Sequence, residues 1–391
     1  MNPDRIAQHL AAFDTGVDRR GSDSIKWAKH AGHTNARGEA ILPLWVADMD
    51  FAAPPAVQAA LQARLDHGVF GYGYTLPAYL HTLADAMVRD HGWAVQPEWI
   101  VPLGGLVSGL NIAARAIGEA GDAIVTATPV YPALFTAPRH MERECVAVPL
   151  READNWSWDM DAVRAAHTPR TRGLFLCHPH NPIGRVWTEA ELEAIAVHAE
   201  AHDLIVVSDE IHCDLILEPG LRHSPFAMHS AAMAARSITL MAPSKTYNIP
   251  GLGAAFAIIP NPNLRRRFER ALAGICAHPN ILGQVAAIAA YGDGCLEWRA
   301  ALLDYLRGNR DRVMALDGVG GLGVVKPEAT YLAWLDCRTL DTSDPHRLFE
   351  QELGVGLSDG ADFGRPGFLR LNFGCPRATL DEAVRRIRRL G

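Results

Sequence analysis

Two ionisable residues, Asp209 and Lys245, closely follow apolar runs in the sequence. Asp209 follows Leu204-Ile-Val-Val-Ser directly, and Lys245 comes four residues after Ser237-Ile-Thr-Leu-Met. A buried carboxylate needs a cationic or hydrogen-bonded partner, and burial lowers the pKa of a lysine so that its amine becomes nucleophilic. Pyridoxal 5′-phosphate (PLP) requires such a lysine, a carboxylate for its ring nitrogen and an amide for its ring hydroxyl. Each residue alone is more often an exposed surface group, so this interpretation depends on their combination and order.

The amide that meets the third requirement is Asn181. It lies in the segment His178-Pro-His-Asn-Pro-Ile-Gly-Arg185, which follows the apolar run at residues 171–177. Ligands of open α/β sheets bind just beyond the carboxyl ends of the strands. Because all three side chains follow predicted strands, we expect them to meet at one edge of a sheet.

The elements that must position these side chains alternate between strands and helices from about residue 100 to residue 260. Apolar runs typical of strands buried on both faces occur at residues 122–127, 171–177, 204–208, 237–241 and 253–259. Helical patterns lie between them at residues 107–119 and 188–202, the second with Thr188 and Glu191 at capping-box spacing. This alternation predicts an α/β fold with a mostly parallel sheet flanked by helices.

The C-terminal part of the chain has a different pattern. Two helical and two strand-like segments occur at residues 297–316, 380–390, 331–336 and 367–372. At about 100–200 residues per domain, a chain of 391 residues suggests two domains. We predict a large domain over residues 46–289 and a smaller α+β domain formed by residues 1–45 and 290–391.

The motifs also occur in an order that is known from one enzyme superfamily. They are Asn181-Pro-x-x-Gly184, Ser208-Asp-Glu-x-His212, Ser244-Lys245 and Arg370-x-Asn372. In this the chain resembles fold-type I PLP-dependent enzymes of the class I/II aminotransferase superfamily. More narrowly, it is similar to the MalY/PatB branch, the cystathionine β-lyase-like C–S lyases. The segments that carry the similarity are residues 18–27, 44–51, 70–72, 129–132, 179–187, 208–212, 244–248, 329–334 and 370–377.

The resemblance implies roles for the residues around the cofactor ring. Lys245 would bind the cofactor covalently and then move protons at the substrate Cα. Asp209 would pair with the ring nitrogen, while Asn181 and His212 would contact the 3′-oxygen. Tyr131 would stack on the ring face and take part in catalysis.

The resemblance also implies how the cofactor phosphate and the substrate are held. The phosphate would be bound at a helix N-terminus and by a hydroxyl, the residues being Gly105, Leu106, Val107 and Ser244. Tyr72 would reach the phosphate of the neighbouring subunit, which implies a homodimer. Arg370 would clamp the carboxylate of a small amino-acid substrate with two N–H donors, assisted by the backbone of Ala47.

Four positions depart from the pattern of the relatives. Ala242 stands where many relatives have a phosphate-binding serine, and Gly253 where many aminotransferases have an arginine that pairs with the phosphate. Gly104 replaces a proline that is common in the branch, and His178 replaces a common asparagine. We therefore expect a phosphate site that is less cationic than in those aminotransferases.

The reaction itself is open at this point. A β-lyase expels a group from Cβ and yields pyruvate, ammonia and, for a sulfur substrate, a thiol, which leaves readily because thiols have low pKa values. An aminotransferase returns the proton to the cofactor and releases a keto acid. The branch motifs favour a C–S β-lyase of L-cystathionine or related cysteine S-conjugates, with an aminotransferase or a regulatory PLP-fold protein as alternatives. Tyr74, Trp45 and Phe373 are candidates for the side-chain pocket.

Composition excludes several other classes of protein. With 49% hydrophobic and 21% charged residues the chain is typical of a globular protein, and a net charge of −7 argues against a nucleic-acid binder. Apolar stretches such as residues 253–260 are shorter than the roughly 20 residues of a membrane span, and residues 1–10 lack a signal-peptide pattern. Seven cysteines with no CxxC pair argue against a disulfide scaffold and favour a cytoplasmic location.

Three further motifs could indicate a binding site, but the sequence supports each of them only weakly. Residues 318–323 match GxGxxG but follow a helical pattern rather than a strand. His198 and His202 stand one helical turn apart and could bind a metal, although a solvated helix end is the favoured interpretation. Arg265-Arg-Arg267 is interpreted as a solvated helix face because Glu269 is close by. We predict no dinucleotide, metal or nucleic-acid site.

Overall fold

A seven-stranded sheet forms the centre of the computed structural model, which describes residues 2–391. In spatial order its strands are Ile100–Leu103, Ala255–Ile258, Ser237–Met241, Ile205–Asp209, Thr171–Cys177, Ala123–Thr128 and Glu144–Pro149. All neighbours pair in parallel except Ala255–Ile258, which is antiparallel to the strand on either side of it. The predicted α/β fold with a mostly parallel sheet is therefore confirmed.

Helices cover this sheet because its strands are apolar on both faces. Every residue of Ser237–Met241 is buried, and so is every residue of Thr171–Cys177 except Arg172. The helices in this part of the chain are Pro55–His67, Pro77–His91, Leu106–Ala116, Ala133–His140, Met160–Ala166, Glu189–Ala201, Ala231–Arg236, Pro262–Leu272 and Ile281–Tyr291. Glu189–Ala201 begins with the predicted capping box, in which the Thr188 hydroxyl and the Glu191 carboxylate each accept a backbone N–H of the other residue.

A second, smaller group of elements combines the two ends of the chain. Its antiparallel sheet contains, in spatial order, Ser358–Asp359, Phe368–Asn372, Leu332–Asp336 and Gly323–Val325. Leu42–Pro43 pairs in parallel with Val355–Gly356. The helices here are Pro3–Thr15, Ile25–Ala28, Leu296–Met314, Pro345–Arg347 and Arg377–Ile387, with a π-helical turn at Leu348–Glu352.

Aromatic packing fixes the N-terminal helix to this group. Phe13 contacts Phe51, Trp298 and Tyr305, with ring centroids 4.8, 5.4 and 5.5 Å apart. The contact places the two ends of the chain side by side, although the domain boundaries at residues 45 and 290 stay a prediction. Met1, the first residue of the predicted small domain, lies outside the described residues. Within residues 2–391, every helix is too short or too polar to cross a bilayer.

Candidate active site

A cavity lies beyond the carboxyl ends of the central strands, where the sequence predicts that the polar side chains meet. Its lining brings together the predicted cofactor contacts of this chain, namely Gly105, Leu106, Val107, Tyr131, Asn181, Asp209, His212, Ser244 and Lys245. Ala47, which is predicted to assist substrate binding, lies on the same wall. Two predicted residues do not line this cavity: Arg370 lines a neighbouring one, and Tyr72 lies on the surface.

Lys245 supplies an amine of lowered basicity. Its Nζ donates a hydrogen bond to the carbonyl oxygen of Ala47 at 2.6 Å. Burial and the positive charge of Arg370 lower the pKa of Lys245 to about 8, against the raising effect of Asp48 and Asp209. A substantial fraction of the amine is therefore neutral near pH 8 and able to act as a nucleophile or a base.

Asp209 is a buried carboxylate at the end of strand Ile205–Asp209. It is 3% exposed, and burial raises its pKa to about 7. Among residues 2–391, the backbone N–H of Ile211, at 3.2 Å, is the one donor to its side chain. A carboxylate that faces a cavity with so few partners fits a protonated ring nitrogen, which would restore its charged form.

His212 and Asn181 complete the polar wall of the cavity. His212 is 2% exposed, and its Nδ1 has no hydrogen-bond partner within the described part of the chain. Burial, with the positive charges of Lys245 and Arg370, lowers the pKa of His212 well below its ordinary value. The imidazole is therefore neutral, and with the Asn181 amide it can serve a ring oxygen of a cofactor.

Another part of the cavity wall is built from backbone at the start of helix Leu106–Ala116. The first N–H groups of a helix have no intrahelical acceptors and suit an anion such as a phosphate. Gly253 has a φ of +58°, and a Cβ there would lie 2.9 Å from the Gly104 carbonyl oxygen. A Cβ on Gly104 would in turn lie 3.0 Å from the Ala277 carbonyl oxygen. Close backbone packing thus explains glycine at both of these departures from the relatives' pattern.

The two other departures lie differently with respect to the cavity. Ala242, like Ser244, is part of its lining, so a phosphate bound here would meet one hydroxyl fewer than serine at position 242 would provide. His178 is fully buried and does not line the cavity; its ring centroid lies 4.4 Å from that of His223. His178 therefore belongs to the support of the site rather than to its surface.

Arg370 extends from strand Phe368–Asn372 toward the same region. Its guanidinium donates to Asn181 Oδ1 at 3.1 Å, to the Trp45 carbonyl oxygen at 2.9 Å and to Ser358 Oγ at 3.3 Å. No carboxylate within residues 2–391 forms an ion pair with it, and burial lowers its pKa to about 10. A buried cation without a counter-ion fits the carboxylate of an amino-acid substrate.

A second cavity of about 460 Å³ adjoins the first and shares Ala47, Tyr131 and Lys245 with it. Arg370 lies on its wall, as does Trp45, one of the three candidates for the side-chain pocket. The two others do not contribute: Phe373 is fully buried in the core, and Tyr74 is 70% exposed on the surface. The second cavity thus has room for a small molecule next to a group bound in the first cavity.

The segment at residues 46–51, which includes Ala47, is held by a buried ionic network. Lys26 is 0% exposed, and its Nζ lies 2.7 Å from Asp50 Oδ2. Arg19 donates to Asp50 at 2.9 Å and to Asp48 at 2.7 Å. These residues lie in the segments that carried the family resemblance, but the sequence alone indicated no role for them.

Two side-chain amides also hold residues 46–51. Asn248 bonds to the backbone of Met49 and Phe51, and Asn372 donates to the carbonyl oxygen of Asp48 at 2.6 Å. Both lie within motifs of the resemblance, next to Lys245 and Arg370 in the sequence. Sequence analysis missed their function; their place beside these two site residues was the available signal.

Comparisons with known proteins agree with this geometry. Residues 40–387 match the family "aminotransferase class I and II". Cystathionine beta-lyase PatB of Bacillus subtilis (strain 168) is 38% identical to this chain, over 96% of this chain and 98% of PatB.

Solved structures extend the likeness to the fold. The crystal structure of OvoB is 48% identical, covers 97% of this chain and 98% of its own, and superposes with a TM-score of 0.92. Cystalysin from Treponema denticola, whose crystal structure contains a PLP cofactor, is 31% identical over 97% of this chain and 98% of its own, with a TM-score of 0.91. The chain therefore belongs to the aminotransferase class I and II family, in the MalY/PatB branch that the sequence resembles.

Proposed function

We propose that this protein is a PLP-dependent C–S β-lyase that cleaves L-cystathionine or a related cysteine S-conjugate to pyruvate, ammonia and a thiol. The observation that carries the proposal is the convergence of a lysine of low basicity, a buried carboxylate and a buried guanidinium on two adjoining cavities. The similarity to cystathionine beta-lyase PatB over nearly the whole chain favours the lyase reaction.

One of these residues acts on the cofactor, and two act on the substrate. When bound, PLP supplies an electron sink for negative charge that develops at the substrate Cα. Asp209 holds the proton on the ring nitrogen, which keeps the ring electron-deficient. Arg370 binds the substrate carboxylate and so orients the Cα–H bond toward Lys245. The Lys245 amine then removes the proton from Cα, since its pKa of about 8 suits a base near neutral pH.

The second cavity supports a sulfur-bearing substrate. Its wall has an apolar part at Trp45, Leu357 and Phe363, against which a thioether can pack. Its charged residues carry both signs, because Lys29 lies on the same wall as Asp359 and Asp362. A mixed wall suits the zwitterionic far end of cystathionine better than the single extra carboxylate of a dicarboxylic amino acid.

The experiment that tests the proposal uses purified protein with added PLP and L-cystathionine, but no keto acid. We expect pyruvate, ammonia and free thiol in equal amounts. Lys245→Ala protein is the control; we expect it to have no turnover and to lack the absorbance band of lysine-bound cofactor. Keto acid that forms only when 2-oxoglutarate is supplied would identify an aminotransferase instead and overturn the proposal.

We further propose that the protein acts as a homodimer in which Tyr72 contributes to the neighbouring site. The support is an exposed segment at residues 69–74, in which the side chains of Val69, Phe70, Tyr72 and Tyr74 are 56% to 111% exposed. Large apolar side chains in a contiguous exposed segment are typical of an interface with another chain.

A further inference from the structure

Three histidines lie together at the edge of the large sheet that faces away from the active-site cavity. His167 directly follows helix Met160–Ala166, His198 lies in the last turn of helix Glu189–Ala201, and His202 directly follows that helix. One ring nitrogen of each histidine lies within 4.8 Å of those of the other two. The topology thus brings a third histidine to the pair that is visible in the sequence.

The burial of this cluster departs from the sequence interpretation. A solvated helix end describes His202, which is exposed, but not His198, which is 4% exposed. The buried atoms His198 Nε2 and His167 Nδ1 have no hydrogen-bond partner among residues 2–391. Buried polar atoms are nearly always satisfied, so two such nitrogens in one cluster call for a ligand.

We propose that His167, His198 and His202 bind one divalent transition-metal ion of the Zn²⁺ type. Neutral imidazole nitrogens are preferred ligands of Zn²⁺, Cu²⁺ and Ni²⁺. Tetrahedral Zn²⁺ with Zn–N bonds of about 2.0–2.1 Å needs its nitrogens about 3.3 Å apart. Because the three nitrogens already lie within 4.8 Å of one another, each pair must approach by at most about 1.5 Å, which small rotations of the three rings can supply. Water supplies the fourth ligand, because the cluster is open to solvent at His202.

The surrounding charges are compatible with a cation. Two helices end at the cluster, and the carbonyl ends of helices carry partial negative charge. The nearby cation is Arg164, on helix Met160–Ala166, and its guanidinium is bound to the Asp161 carboxylate. A metal here would join the ends of two neighbouring helices that cover the sheet.

The position of the histidine cluster in the fold predicts how metal binding affects the protein. His202 precedes strand Ile205–Asp209, whereas Asp209 ends it, so the length of this strand, roughly 15 Å, separates the cluster from the active site. An ion that binds only the folded chain raises its stability by mass action. We therefore expect metal binding to stabilise the protein and to leave lyase activity unchanged.

The test uses holoenzyme freed of metal by a chelator and then titrated with Co²⁺, whose visible absorption reports tetrahedral nitrogen ligands. We expect one Co²⁺ per chain, displacement of the cobalt bands by Zn²⁺, and a rise in Tm with Zn²⁺ by calorimetry. His198→Ala should abolish all three effects. His202→Ala changes an exposed side chain, so it should abolish them without disturbing the fold. His81→Ala, an exposed histidine on another helix, should behave as wild type.

The proposal is overturned if the wild-type protein binds no stoichiometric Co²⁺, or if His202→Ala protein binds it as tightly as wild type. Binding that survives in His198→Ala protein but is lost in Cys213→Ser protein would assign the ion to another cluster, formed by His91, Cys213 and Asp214. In that cluster Asp214 already lies 3.3 Å from the guanidinium of Arg299, which disfavours a cation.

Discussion

At the scale of single residues, the site contains buried ionisable side chains that form no ion pair with any group among residues 2–391. Asp209 is the clearest case, since burial raises its pKa to about 7 from an ordinary value of 3.8. Between about pH 4 and pH 7 the folded cofactor-free chain retains a proton on Asp209 that the unfolded chain releases. Stability therefore falls as the pH rises through this range, because the unfolded state binds fewer protons.

Asp209→Asn should remove this pH dependence. We expect the wild-type apoprotein to lose roughly 2–4 kcal/mol more stability between pH 5 and pH 8 than the variant does. Urea unfolding of both apoproteins at the two pH values measures the difference, and other titrating groups cancel in the comparison. The variant should also bind PLP more weakly, since its amide cannot hold the ring proton as a carboxylate does. Equal pH dependence in the two proteins would contradict the assignment.

Arg370 is the second such residue. Replacing it by alanine removes a two-pronged carboxylate contact, so we expect KM for L-cystathionine to rise about 10- to 100-fold. Arg370→Lys keeps the positive charge but lacks the two parallel N–H donors of the guanidinium, so it should give an intermediate KM. Steady-state kinetics at saturating PLP measures both values. Thermal unfolding serves as the control for folding, and an unchanged KM would show that Arg370 is not the carboxylate clamp.

At the scale of elements, the position of Lys245, the proposed catalytic base, depends on a segment with no regular structure. The Ala47 carbonyl oxygen accepts the Lys245 amine, and residues 46–51 are held by the network of Lys26 and Asp50. Lys26→Met leaves Asp50 buried with one cation fewer, so we expect a loss of about 3 kcal/mol of stability and a lower kcat. Urea unfolding and turnover measure the two effects.

Arg20→Met is the matched control for this variant. Arg20 belongs to the same N-terminal segment, but its ion pair with Asp18 is exposed, with 76% and 61% of the two side chains accessible. Exposed pairs contribute less than about 1 kcal/mol. If the two variants lose equal stability, the buried network is not what holds residues 46–51 in place.

Elements also show how far the sequence could predict the fold. The predicted strands at residues 171–177 and 237–241 coincide with those of the structure, because strands buried on both faces are continuous apolar runs. The sequence analysis missed the edge strands Ile100–Leu103 and Glu144–Pro149. The first has only four residues, and the second is largely exposed, so neither is a long apolar run. The reversed direction of Ala255–Ile258 was also not visible, since an apolar run carries no information about its pairing partner.

For the site, the sequence indicated residues that follow strands but not the groups that support them. Asn181, Asp209 and Lys245 line one cavity as expected. By contrast, Asn248 reaches Met49 across 199 positions of the chain, a contact that no local pattern contains. His167 was missed for the same reason, because it joins the histidine pair only through the packing of two helices.

At the scale of the whole molecule, one predicted cofactor contact, Tyr72, lies outside the cavity of its own chain. Tyr72 is fully exposed and does not line the cavity formed by residues of the same chain. The proposed homodimer resolves this, because in a twofold symmetric dimer Tyr72 of each chain can complete the site of the other. Light scattering coupled to size-exclusion chromatography should therefore give twice the mass of the 42.5 kDa chain.

Mixing Lys245→Ala chains with Tyr72→Ala chains tests directly whether Tyr72 acts in the site of the neighbouring subunit. In a hybrid of Lys245→Ala and Tyr72→Ala chains, the intact lysine and the intact tyrosine belong to different subunits. If Tyr72 acts across the interface, each hybrid contains one native site, and random reassociation of equal amounts should restore about a quarter of wild-type activity. Lys245→Ala mixed with Arg370→Ala should restore nothing, because both residues serve the site of their own chain. Activity no higher than the mean of the two parent variants would place Tyr72 outside the neighbouring site, because only exchange across a subunit boundary can rebuild a native site from these two chains.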